Sequence, residues 1–213
     1  MKRLLTSMMV FLFLIGFTGT AGASIISVDG LNTWTPVTFS YINKDYNEYA
    51  GRFLLTIDGK SNVSGYCIDL FHTTYVKSGP YSTTLTALDT QYPWQLQAAW
   101  LMENYGETAD GVKNAAVQMA IWEIEYSGLN YTGDRVTQYS VGWYLDKYRG
   151  DLLSANLTGY TGAGYQIAPL ATCTPQNAQN LLVKAPAPVP EPTTLLLIGS
   201  GLLGLAAFRR KAK

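Results

Sequence analysis

The sequence predicts a single α+β domain, and three observations carry that prediction. Strand-like patterns come first, helical spacing occupies the middle, and strand-like segments return at the end. Between two apolar termini lie about 160 residues, enough for one domain with a real core but hardly for two. Tyrosine is abundant, with Thr, Ser, Asn and Gly, a composition that suits an exported β-rich protein. The expected unit is a β-sheet portion with an inserted helical portion, flanked by a signal peptide and a C-terminal hydrophobic tail.

Residues 1–23 read as the signal peptide. Lys2 and Arg3 precede an apolar stretch from Leu4 to Phe17, and Ala21-Gly22-Ala23 suits a signal peptidase, so the mature chain is expected to begin at Ser24. Thr35 to Ile42 and Arg52 to Ile57 then carry the β-branched, aromatic and alternating residues of strands. Asp58 to Asn62 is turn chemistry, and Val63 to Leu70 is the expected return strand of a hairpin, with Cys67 on it. Pro93 suits a first helical turn, and Ala98, Leu101, Met102 and Tyr105 recur at helical spacing up to Gly106. A second helix is expected from Val112 to Tyr126, stopping at Gly128, and a third from Arg135 to Tyr148. Closing strands near Tyr165–Ala168 and Asn180–Lys184 end a module spanning 24–184. Residues 185–192 read as a Pro-rich linker containing Pro190-Glu191-Pro192, and 193–213 as a hydrophobic helix with a basic end.

A net charge of +0 with 14% charged residues leaves no electrostatic footprint for nucleic acid. Of the two cysteines, Cys67 and Cys173, the default in an oxidising compartment is a disulfide. His72 invites a Cys-His nucleophile with Cys67, but the sequence names no orienting third group, and one His with two distant Cys lacks any metal-ligand spacing. Neither metal nor cofactor is expected. Gln118 lies in an apolar stretch, with Trp122 one turn on. Burying its amide costs free energy unless the amide is paired with backbone or consumed. Asp69 reads as a turn cap, or as a residue accepting a proton or orienting the Cys67 loop, and Glu123 and Glu125 as the solvated side of the helix.

Tyr66-Cys67-Ile68-Asp69 on a strand and Gln118-Met119-Ala120-Ile121-Trp122 on a helix together resemble the motifs of thioester domains, surface modules of bacterial adhesins. The resemblance covers most of 24–184. It implies that Cys67 and Gln118 form an internal thioester with loss of ammonia, with Tyr66, Asp69 and Trp122 in supporting positions. It further implies single-turnover acyl chemistry, not enzymatic turnover, toward amines on a partner surface, such as protein lysines or polyamines, or toward an extracellular matrix. The alternative is a non-covalent envelope or exopolysaccharide-binding structural protein with a Cys67–Cys173 disulfide.

At the far end, Pro190-Glu191-Pro192, an apolar run from Leu195 to Phe208 and the basic Arg209-Arg210-Lys211 resemble a PEP-CTERM sorting signal of Gram-negative bacteria. An apolar run of about 15 residues spans roughly 22 Å as a helix, short of the roughly 30 Å of a bilayer core, so it suits a temporary hold at the membrane. The resemblance implies processing near Pro-Glu-Pro by an exosortase-type protease, and release to the cell surface or matrix.

Overall fold

The computed structural model describes residues 23–173 and 178–184. The expected signal peptide, Pro-rich linker and hydrophobic sorting helix, including Pro190, Glu191, Pro192, Arg209 and Arg210, lie outside the described residues.

A long hairpin founds the sheet. Strands β1 (Ser24–Tyr41) and β2 (Lys44–Ile57) pair antiparallel over their length, with Val28 opposite Leu55 and Phe39 opposite Tyr46. β1 exceeds the expected strand because register shifts at Val28/Gly30 and Asn32/Trp34 break the sequence alternation without breaking the pairing, while β2 starts earlier than expected because Lys44 to Gly51 pair with Tyr41 to Trp34 in unbroken register. The turn into β3 (Lys60–Cys67) places Asp58 at φ 52° and Gly59 at φ 79°, two consecutive left-handed residues that an Asp-Gly pair adopts readily. The return strand ends at Cys67, short of Leu70, because the chain turns there through Asp69.

Strand β4 (Ser78–Thr83) pairs with the outer side of β1, and β5 (Thr86–Ala87) pairs with β7 (Tyr165–Ala168). A two-residue β6 (Asn130–Tyr131) also pairs with β1, and β8 (Leu181–Lys184) inserts between β3 and β7, giving the order β4-β1-β2-β3-β8-β7-β5. The antiparallel sheet with three helices among the described residues makes the fold α+β, as expected.

Helix α1 (Pro93–Tyr105) begins with Pro93, whose fixed φ suits a first turn. Helix α2 (Gly111–Glu125) is capped by Asp110, whose Oδ1 accepts from Val112 N at 2.9 Å and Lys113 N at 3.3 Å. Helix α3 is Val141–Ser154, not 135–148. Asp134 Oδ1 accepts from Val136 N and Thr137 N and holds that stretch as a loop, Tyr139 sits at φ 68°, and Ser140 Oγ caps the helix at Trp143 N.

Helix α2 lies against β1 and β2 with α1 and α3 beside it, and every side chain from Asn114 to Trp122 is buried. That enclosure corrects the expectation for Glu123. Its carboxylate is covered and paired with Arg135 at 3.1 Å and Arg149 at 2.9 Å, because α3 and the loop before it close over that side of α2. The core joins Ile26, Phe39 and Leu55 of the sheet to Met119, Ile121 and Leu145 of the helices.

Candidate functional site

Cys67 stands at the end of β3 and Gln118 in the middle of α2, and packing of α2 against the sheet brings them together. Gln118 Oε1 accepts from Cys67 N at 2.9 Å, while Gln118 Nε2 donates to Cys67 O at 2.6 Å. The carboxamide thus pairs with one residue's backbone in both directions. Both residues are 1% exposed, so each unmade bond would leave a buried polar group at a cost of about 1–3 kcal/mol. This is the paired amide weighed from the sequence, and its partner is the cysteine itself.

The Cys67 sulfur lies 3.0 Å from Asp69 O, to which the thiol donates, and accepts from Asp69 N at 3.2 Å. Burial pushes the thiol's pKa well above its ordinary value; the Asp69 backbone and the Trp122 indole N–H oppose that shift, and the charges of Asp69 and Glu125 add to it. Trp122 Nε1 is buried without a partner in full hydrogen-bond geometry, yet lies near enough to the sulfur to favour its thiolate. Burial thus favours the protonated form of an unreacted Cys67.

Cys67 and Gln118 line a cavity of about 360 Å³ together with Trp122, Phe39, Tyr46 and Phe53. Its rim carries Tyr49, Phe71 and Tyr75, each more than 60% exposed. Glu48 and His72 are the charged or titratable side chains of the lining besides Cys67 and the phenols, and no Lys or Arg among the described residues joins them.

Asp69 sits in the turn just after β3. Its Oδ1 accepts from Phe71 N at 2.9 Å, a turn cap, while its Oδ2 lies 2.6 Å from His72 Nδ1. The orienting group for His72 that the sequence did not supply is therefore Asp69. The loop is fastened further: Gln179 Nε2 donates to Asp69 O at 2.8 Å and Leu70 N to Tyr126 Oη at 3.3 Å.

Tyr66 does not line the cavity. Its ring is fully buried, and its hydroxyl lies 2.8 Å from Asn114 Oδ1 and 3.1 Å from Gly106 O, able to donate to one at a time. It fastens β3 to the start of α2 and so fixes the next residue along. Glu125, read from the sequence as solvated, falls one further turn along the face of Gln118 and Trp122. Its Oε2 is buried without a partner among the described residues, and burial, with the charge of Asp69, pushes its pKa up to about 8. Only its i+7 spacing from Gln118 hinted at this.

No disulfide joins Cys67 to Cys173. Cys173 Sγ instead contacts Ser82 O at 3.5 Å and Pro169 O at 3.8 Å, partners that Cys67 does not share. Among the described residues no group of three or more His, Cys, Asp or Glu side chains is arranged to hold a metal ion.

Comparison with known proteins bears on both parts of the chain. Residues 188–211 match the model of the PEP-CTERM protein-sorting motif, which marks a chain for export and for membrane association through its C-terminus in Gram-negative bacteria. Among solved structures, the chain is similar to the thioester domain of the Staphylococcus aureus TIE protein, with 15% identity and a TM-score of 0.40 over 79% of this chain and 81% of that one. No curated protein matches.

Proposed function

We propose that this exported chain forms an internal thioester between Cys67 and Gln118 and uses it to bond covalently, once per molecule, to an amine on a partner surface. The observation that carries the reading is the two-way pairing of the Gln118 carboxamide with the Cys67 backbone at the floor of an open, aromatic-walled cavity. It holds the reacting groups of one strand and one helix together in a buried site. Fixed proximity of this kind can lower a barrier by about 7–11 kcal/mol.

The first step joins Cys67 Sγ to Gln118 Cδ and releases the amide nitrogen as ammonia. As the carbonyl carbon becomes tetrahedral, charge develops on Oε1, where the Cys67 N–H already points. In the second step a primary amine attacks the same carbon, the C–S bond breaks, an amide to the partner forms and the Cys67 thiol is restored. The cavity walls limit water's access to the acyl group in between. Export and processing near Pro190-Glu191-Pro192 by an exosortase-type protease would deliver the site to the cell surface or matrix, where a lysine or polyamine can reach it.

Intact-mass measurement of the exported chain tests the reading. The expected mass is lower by one ammonia, and methylamine should add to Gln118 while exposing one further thiol. A chain that retains its ammonia, or that lacks two hydrogens until reduced, rules the thioester out. Cys67→Ala should keep the full ammonia content.

A further inference from the structure

We infer that His72, fixed by Asp69, is the proton-transfer group for the acyl chemistry at Gln118; the inference rests on the thioester reading. His72 lines the same cavity as Cys67 and Gln118, and it is the only histidine in the chain. Its Nδ1 lies 2.6 Å from Asp69 Oδ2, and Asp69 is itself buried and held through its other oxygen by Phe71 N. With a carboxylate accepting from Nδ1–H, the neutral ring carries its lone pair on Nε2. That nitrogen takes no partner among the described residues, and the side chain is 36% exposed. The charged or titratable groups facing the ring are Asp69 on its own loop and, in the lining it shares, Glu48 of β2, the Cys67 thiol of β3 and the phenols of Tyr46, Tyr49 and Tyr75.

The chemistry needs such a group twice. In forming the thioester, the proton of the Cys67 thiol must reach the departing nitrogen, which leaves as ammonia. His72 Nε2 accepts the first proton and returns it to the second site, with no net change in the ring. In the second step the attacking amine must lose a proton once it has bonded to Gln118 Cδ. Nε2 accepts that proton and hands it to the sulfur as the C–S bond breaks, so atoms and charge balance in both steps. Microscopic reversibility ties the two, since the second step is the first run backwards with a substituted amine in place of ammonia. The lining supports the amine as nucleophile, for Glu48 and the aromatic rings favour an alkyl ammonium, which gives its extra proton to water and attacks as the neutral amine.

His72→Gln in the full exported chain tests this, with methylamine as the probe and intact mass as the readout. Loss of ammonia and gain of methylamine should both slow by about 10²-fold or more, and added imidazole should restore both. A variant reacting at the unaltered rate overturns the inference. So does a slow variant that imidazole leaves slow, because a purely structural role would give that result. If the unsubstituted chain never loses ammonia, the thioester reading itself falls, a failure visible before any substitution is made.

Discussion

At the scale of single residues, two side chains on one face of α2 make opposite predictions. Replacing Gln118 by Glu turns the donor facing Cys67 O into an acceptor, so the buried pair loses a hydrogen bond and gains a repulsion. Stability should fall by about 1–3 kcal/mol near neutrality and recover in acid, where a protonated carboxyl can donate again; urea midpoints at the two pH values measure it. Glu125 already carries a dependence of that sign, and its substitution should remove it. Its folded pKa of about 8 lies above its ordinary value, so between the two the unfolded chain has released the proton that the folded chain still holds. Stability contributed by the neutral form is full in acid and declines as pH rises through that window. Glu125→Gln should remove this decline, a difference of about 1–2 kcal/mol after solvent screening, read as a flatter dependence of urea midpoint on pH. An unchanged slope would mean that Glu125 ionises freely. Of this site, Cys67, Gln118 and Trp122 were legible in the sequence, because a polar amide in an apolar helical stretch demands a partner. The Asp69–His72 contact was not, since it depends on a turn whose geometry three intervening residues do not dictate.

At the scale of elements, α2 is the piece that presents Gln118, and its start is set by one side chain. Asp110→Ala removes the acceptor for two backbone N–H groups and should cost about 1 kcal/mol in urea denaturation, with a proportionately smaller loss for Asp110→Asn, which keeps the oxygen. Equal losses for the two would assign the effect to charge and not to capping. Helices α1 and α2 were readable because each has one clear starting residue followed by apolar spacing. Helix α3 was displaced because Asp134 captures the N–H groups that an earlier start would need, a competition between side chain and helix that periodicity does not register. β1 was underestimated where the register shifts, since each shift flips the face that the next residues present.

At the scale of the whole molecule, the fold keeps Cys67 and Cys173 in separate surroundings, and this predicts a thiol count. Rapid denaturation of the exported chain in the presence of an alkylating reagent should label Cys173 alone, leaving Cys67 bonded to Gln118. Labelling of both would mean an unreacted pair, and labelling of neither would restore the disulfide. The strand order carries a consequence of another kind. β8 is the last strand among the described residues, yet it lies inside the sheet beside β3, with Leu181 opposite Cys67, and the sorting motif begins at residue 188, just beyond it. A cell held by that end and a target bonded at Gln118 would pull against each other through α2, its packing on β1 and β2 and the β3–β8 ladder, because the Cys67–Gln118 bond is broken once the amide to the target forms. Single-molecule pulling between those two points should therefore release β8 before α3; the reverse order would show the force taking a longer road.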